Sequence, residues 1–315
     1  MSLIQEALER ARASRDDESG PAHLPDISNP KDRVRGLADT ISPLGAKPGR
    51  RHLKIDRQAL RDGGVLAPVN DDHRIARQIR DIKRPLIAHA FGKRATSVEN
   101  GNLIMVTSAL AGEGKTFISF NLARSMAEER DHTVLLVDAD VAKPQTSRMF
   151  GLQDSVGLLD LLERAGEHLE SAIVDTDAPG LSILPAGKPR ANSTELLASS
   201  RMEYLTQQLT SADRNRIVLF DSPPLLQTSE SKVLAEFVGQ IVFVVCAEQT
   251  PKGAVAEAVM SLGEEKAVNF ILNKSTSNAI VTRYGYDHGG YGGEYRHAGS
   301  APPGAASPYP RQSGR

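Results

Sequence analysis

Three short stretches hold most of the side chains with chemistry to offer. In SALAGEGKTFISFNLA, Ala111, Gly112, Glu113, Gly114, Lys115, Thr116 and Phe117 make the end of a phosphate-binding loop. Glycines let backbone N–H groups turn inward around phosphate oxygens, the lysine reaches the β and γ oxygens, and the threonine hydroxyl is a ligand for Mg²⁺. A helix opening at Thr116 adds the positive end of its dipole. The usual first glycine of the loop is Ala109 here, a departure at one position. The other two stretches end in carboxylates: TVLLVD runs into Asp138-Ala139-Asp140, and RIVLFD ends at Asp221. Phosphoryl transfer asks a protein to position groups and to neutralise charge around the metal and the γ-phosphate. An aspartate ending a neighbouring strand suits the Mg²⁺ environment, and a second one takes the proton of an attacking hydroxyl. A single aspartate after a strand equally serves to cap the next helix. Two of them beside a phosphate loop read as a site for ATP and Mg²⁺.

Such residues work only if strands deliver them to one rim. LIMVTS, TVLLVD, LSILP, RIVLFD, QIVFVV and AVNFILN are short apolar runs, most of them joined by helix-length segments. Runs of that kind bury both faces, as in a parallel sheet covered by helices. The fold expected is α/β: a doubly wound, mostly parallel sheet whose ligand site lies at the carboxyl ends of the strands. Asn192 followed by Glu195 marks the start of a helix through ELLASSRMEYLTQQL. A second helix begins near Asp71, with an apolar stripe of Ile75, Ile79, Ile82 and Leu86, and Pro85 is expected to kink or end it. Its remaining face carries Arg74, Arg77, Arg80, Lys83 and Arg84, which fits either a solvated basic face or a subunit contact.

Around this core the text changes. Residues 1–12 have the capping pair Ser2 and Gln5 and helical apolar spacing, so a short amphipathic helix is expected. Residues 13–70 are rich in Asp, Arg, Pro, Gly and Ser and read as a weakly ordered arm. The domain boundaries expected are therefore 1–70, 71–282 and 283–315. The net charge of −1 over 315 residues gives no global bias toward nucleic acid, and none is expected as a partner. Cys246, the only cysteine, sits in IVFVVC and reads as a buried thiol. No HExxH or CxxC points to a protein-built zinc site. The early charges of MSLIQEALERAR disagree with a signal peptide, and no apolar run approaches the roughly 18 residues that a bilayer demands, so a cytoplasmic protein is expected.

GEGKT, VLLVDAD and FDSPP, with LLVDADVAKPQTSRMFG, VGLLDLL and LSILPAGKPRANSTELLASSRM around them, resemble the three Walker-type motifs of the bacterial tyrosine kinases. MSLIQEALERAR and IKRPLIAHAFG resemble the branch linked to exosortase and exopolysaccharide gene clusters. The similarity covers about residues 70–295. Related P-loop ATPases of the partition and septum-placement type share the fold but carry an extra lysine early in the loop, where this chain has Leu110. The resemblance implies an ATP-dependent autokinase. Lys115 and Thr116 would hold phosphate and Mg²⁺, Asp138 would be the base, and Asp140 and Asp221 would complete the metal environment. Asn273 falls where related ATPases place an asparagine near the nucleotide base. The resemblance also implies a homo-oligomer with phosphorylation in trans, a membrane polysaccharide co-polymerase or chain-length protein as activator, and a tyrosine phosphatase as opponent. Peripheral membrane association would come through that partner. Two departures stand out: Ala142 and Lys143 lie where an arginine commonly follows the Asp pair, and Arg77 and Lys83 replace a glutamate and an arginine of the oligomerisation helix.

The tail completes the expectation. Five of the six tyrosines lie beyond residue 283, where the chain has no Val, Ile, Leu, Met or Phe. Tyr284, Tyr286, Tyr291 and Tyr295, flanked by glycine, read as phosphoacceptors that must enter an active site as extended chain. A tail without catalytic meaning is the plain alternative. Two other functions compete with the kinase: a nucleotide-switch ATPase that positions a partner, and a nucleotide-binding scaffold without activity.

Overall fold

The computed structural model describes residues 50–66, 72–92, 98–164, 167–263 and 266–275. The short amphipathic helix expected over residues 1–12 and the tail tyrosines lie outside these described residues. Strands β1 (Arg51–Leu53), β2 (Leu103–Ser108), β3 (Thr133–Asp138), β4 (Val174–Thr176), β5 (Leu181–Leu184), β6 (Arg216–Asp221), β7 (Gln240–Cys246) and β8 (Ala267–Asn273) form one sheet. Their order is β1-β4-β5-β3-β6-β2-β7-β8. Every pairing is parallel except β4 with β5. The six apolar runs of the sequence are the six strands from β5 to β8 in that order. Strands β1 and β4, only three residues each, had no such signal.

Alternate side chains of a strand point to opposite faces, and both faces here are covered. Met105, Leu135, Val137, Phe220 and Phe243 join one buried cluster, while Ile104, Val106, Leu136, Leu219 and Val242 join the other. The first face is covered by α5 (Leu158–Glu163), α7 (Ser193–Leu197), α8 (Ser200–Ser211) and α9 (Glu230–Phe237), through residues such as Leu158, Met202, Leu205 and Leu234. The second is covered by α2 (Asp72–Phe91) and α3 (Lys115–Ala127), through Ile79, Leu86, Ile118, Leu122 and Met126. Short helices α1 (Arg57–Asp62), α4 (Gln145–Met149) and α6 (Leu169–Ala172), with α10 (Lys252–Met260), complete the set. The chain leaves β2 for β3 on one side and returns from β6 to β7 on the other. The carboxyl end of β2 therefore sits at the switch point where such sheets bind ligands.

Four expectations need correction. Residues 50–66 are not a weakly ordered arm. Arg51–Leu53 pairs with β4, Asp56 caps α1 by accepting from the N–H groups of Gln58 and Ala59, and Ile55, Leu60, Val65 and Leu66 are buried. Those four apolar residues are too sparse in polar text to show a period. Of the two outcomes expected at Pro85, a kink or an end, the end does not occur: helix α2 continues to Phe91. Proline removes one N–H and disturbs the preceding turn, yet Ile79 and Leu86 on either side hold the helix against the second cluster. Lys83 belongs to no solvated face: it is buried, donates to the Ser125 carbonyl at 2.7 Å and pairs with Glu129 at 2.6 Å. The helix expected after Asn192 is two helices, because the Ser199 hydroxyl takes the Leu196 carbonyl at 2.6 Å and α8 starts afresh at Ser200. Asn192 holds the cap position without a side-chain bond.

Candidate active site

The phosphate loop is built by conformation first. Gly112 and Gly114 have φ of 81° and 99°, in the left-handed region that other residues avoid. A Cβ at Gly114 would also collide with the Asn273 side chain. Behind the loop, Glu113 is buried. It accepts from the Leu110 N–H at 2.8 Å and from the Thr250 hydroxyl, tying the loop to the segment after β7. Two side chains at the end of β8 hold its carbonyls: Asn273 donates to Glu113 O at 2.9 Å and Lys274 to Gly112 O at 2.7 Å. With its carbonyls turned outward and bonded, the loop is left with N–H groups for an anion. Helix α3 opens at Lys115, one residue earlier than expected.

Lys115 makes no hydrogen bond or ion pair with any described residue. Burial pushes its ammonium below the ordinary lysine range, against the opposing pull of Asp221, Asp140 and Glu113. A lysine ammonium on a cavity wall, without a hydrogen-bond partner among the described residues, suits an anion. Asp138 and Asp221 stand side by side as register partners on β3 and β6. Burial raises the pKa of both, and the charge of Asp221 helps lift Asp138 to about 8. Ser147 opposes this by giving both its N–H (2.6 Å) and its hydroxyl (2.7 Å) to Oδ2 of Asp138. Oδ1 of Asp138 is buried with no partner. Asp221 accepts from Ser119 at 3.0 Å and Thr146 at 2.8 Å, and Thr116 also favours its charged form. Asp140 is raised by burial and steadied by the Lys143 N–H at 3.1 Å.

A cavity of about 680 Å³ brings these elements together. Ala111, Gly112, Gly114, Lys115, Thr116, Phe117, Asp140 and Asn273 line it, while Asp138 and Asp221 lie behind its wall. Ser119, Thr146 and Ser147 were not foreseen. Ser119 had a signal, since it lies four residues after Lys115 and so on the same helix face; Thr146 and Ser147 had none. Gly63, Gly64 and Val65 also line the cavity, from the segment read as an arm. The residues fit Mg·ATP. No group of three or more His, Cys, Asp or Glu able to hold a metal occurs among the described residues. Mg²⁺, however, is ordinarily held by one or two carboxylates together with phosphate oxygens and water. Thr116 and Asp140 on the wall, with Asp221 behind, suit an ion that arrives with the nucleotide.

Comparison with known proteins agrees with this geometry. A family profile described as an AAA domain matches residues 101–267, which contain the phosphate loop and all three aspartates. The domain is thus a P-loop nucleotide-binding domain by both fold and site. More narrowly, the chain belongs to the bacterial tyrosine-protein kinase family. It is 33% identical over 185 residues to the tyrosine-protein kinase YwqD of Bacillus subtilis (strain 168), covering 58% of this chain and 76% of that relative. It is 31% identical over 175 residues to the tyrosine-protein kinase ptk of Acinetobacter johnsonii, covering 56% of this chain and only 22% of that much longer relative. Among solved structures, the VpsO kinase domain superposes with a TM-score of 0.51 at 32% identity, covering 64% of this chain and 98% of that one. The BceF tyrosine kinase domain gives 0.55 at 26%, covering 78% and 98%. No helix among the described residues is long and apolar enough to cross a membrane.

Proposed function

We propose that this chain is an ATP-dependent protein tyrosine kinase that phosphorylates Tyr284, Tyr286, Tyr291 and Tyr295 of a neighbouring copy. The observation that carries this reading is Lys115, without a hydrogen-bond partner among the described residues, on the same cavity as Thr116 and Asp140, with paired Asp138 and Asp221 behind it. Lys115 and the loop N–H groups bind the polyphosphate and neutralise charge that builds up during transfer. Bound Mg²⁺ would supply further charge neutralisation. Thr116 and Asp140 would hold the ion, with Asp221 orienting Thr116. Asp138 is the base. Ser147 occupies its Oδ2, so the partnerless Oδ1 is the atom left to receive the tyrosine proton. Asn273 braces the loop and closes one side of the cavity. Leu110, partly buried against the first cluster, stands where a switch ATPase would place its extra lysine, which favours tyrosine over water as acceptor.

Tyr284 lies eleven residues beyond Asn273. An extended chain covers at most about 3.3–3.6 Å per residue, a reach suited to a neighbour's cavity. Each phosphate adds about −1.5 to −2 charges, so modified tails repel and loosen the homo-oligomer. One relative, of Klebsiella pneumoniae, is named a putative tyrosine-protein kinase in the cps region. Accordingly, the proposed setting is control of exopolysaccharide export at the inner membrane face, with a polysaccharide co-polymerase as activator and a tyrosine phosphatase as opponent. A mixing experiment tests the reading. A Lys115→Ala chain with its tail intact should be phosphorylated by an active chain lacking residues 284–315. No phosphotyrosine on the inactive chain, over concentrations that allow association, contradicts transfer in trans.

A further inference from the structure

The family match begins at residue 101, yet three cavity-lining residues come from well before it. Gly63, Gly64 and Val65 follow α1 and reach the same cavity as the phosphate loop. They are firmly held. The Val65 N–H and the Leu66 N–H both donate to the Leu60 carbonyl, at 2.8 and 3.0 Å. Val65 and Leu66 are buried in the second cluster. The buried Asn121 of α3 donates its side-chain amide to the Val65 carbonyl and to the Phe117 carbonyl, each at 2.7 Å. One amide thus fastens the turn to the helix that begins with Lys115. The far end of the segment is equally fixed, since the Ile55 N–H donates to Asp177 at 3.0 Å beside the β1–β4 pairing.

The lining of the cavity is mixed. Lys115, Asp140 and Lys143 supply charge for a polyphosphate and its metal, and Lys274 is also charged. Ala142, Pro223 and Pro224 are uncharged, and Gly63, Gly64, Val65 and Phe117 supply peptide groups and apolar surface without charge. Such a wall suits a ribose and a planar base, because glycine peptides present no side chain to hold a flat ring away. Gly64 has φ of 71°, and a Cβ added to it would meet nothing within 4 Å. The position is open, and its backbone demands glycine or a residue tolerant of the left-handed region.

We propose that the Gly63–Gly64–Val65 turn, fastened by Asn121, is the wall that receives the nucleoside half of ATP. It makes the segment before α2 part of the substrate site. The proposal rests on the reading of this cavity as the ATP site.

Calorimetric titration of the full chain with Mg·ATP and, separately, with Mg·tripolyphosphate tests it. Gly64→Asn places a polar side chain over the wall in a backbone conformation that asparagine tolerates. The expected result is at least about a fivefold loss in ATP affinity, roughly 1 kcal/mol, with tripolyphosphate affinity unchanged. Asn121→Ala, which unfastens the turn, should show the same selectivity, and thermal melts report whether either variant is folded. Equal loss for both ligands would overturn the proposal by assigning the turn to the phosphate site or to general stability. Undiminished ATP binding by folded Gly64→Asn would overturn it as well. Failure of the unaltered chain to bind Mg·ATP at all would instead remove the reading of the cavity, and the wall with it.

Discussion

The sheet carries a cavity with charged residues in its lining at each end, and the two treat their carboxylates differently. At the amino ends of β3, β5 and β6 a cavity of about 520 Å³ is lined by Arg50, Asp175, Asp213 and Arg216 among others. Much of its charge is already matched. Arg50 donates to Glu170 at 2.7 Å and to Asp175 at 3.0 Å, Ser182 adds a bond to Asp175 at 2.7 Å, and Thr133 serves Asp213. Burial pushes Asp175 up, but the bonds from Ser182 and Arg50 outweigh it, and the carboxyl falls below its ordinary range. At the carboxyl ends the reverse holds. Among the described residues neither Lys115 nor Oδ1 of Asp138 has a hydrogen-bond partner, and burial drives the lysine down and the aspartate up. Buried charge that the protein leaves unmatched destabilises it. Matched carboxylates hold one end of the sheet, where the Arg216 pKa is nevertheless lowered by burial and its guanidinium donates only to the Leu209 carbonyl at 3.4 Å among the described residues. At the other end the cation on the cavity wall and Oδ1 of the aspartate behind it lack hydrogen-bond partners that a ligand would supply.

The largest expected effect comes from removing the unmatched cation. Lys115→Ala should lower tail phosphotyrosine by at least about a hundredfold, the scale of losing one preorganised electrostatic group. The variant should stay folded by circular dichroism, since no hydrogen bond or ion pair of Lys115 with a described residue is lost. Undiminished phosphotyrosine would erase the contrast between the two ends.

Asp138→Asn sharpens the comparison, because it separates catalysis from stability. Transfer should collapse while Mg·ATP still binds within about tenfold. The folded protein retains a proton on Asp138 from its ordinary pKa of 3.8 up to about 8, whereas the unfolded chain releases it above 3.8. Fewer protons on the unfolded state mean that this group makes stability fall as pH rises through that window. Asparagine cannot ionise. Melting temperatures of the variant should therefore gain on the unaltered protein between about pH 4 and pH 8. A gap independent of pH would show that Asp138 carries no such burden.

Much of this contrast was legible in the sequence, and unevenly so. Strands buried on both faces announce themselves as apolar runs, so β2, β3 and β5 to β7 could be read directly, together with the residues at their carboxyl ends. The edge strand β8 was legible from a run of the same kind, although Phe270 and Leu272 are exposed. The shortest elements could not. β1 and β4 are three residues each, and Ile55, Leu60, Val65 and Leu66 bury singly rather than with a period. The hydroxyls that hold the aspartates were hidden for another reason: Thr146 and Ser147 reach Asp221 and Asp138 only because α4 folds back beneath β3, a tertiary fact without a local signal. Lys83 looked like one more surface charge in a basic helix, and only packing against α3 turns it inward.

The smallest effect belongs to the matched end. Arg50→Ala removes a partly exposed ion pair, a change worth about 0–1 kcal/mol. Tail phosphorylation should stay within about twofold, because transition-state contacts are untouched. A thermal melt and a phosphotyrosine blot on the same sample check both halves. A large loss of phosphorylation without a loss of stability would mean that the amino-end cavity takes part in the reaction.

The measurement that reaches the centre of this account is intact-mass and phosphosite analysis of the full chain after incubation with Mg·ATP. Phosphate is predicted on Tyr284, Tyr286, Tyr291 and Tyr295, in steps of one phosphoryl group per tyrosine. ATP consumed to ADP and inorganic phosphate, with the tail unmodified, would contradict the kinase and assign the unmatched charges to a nucleotide switch instead.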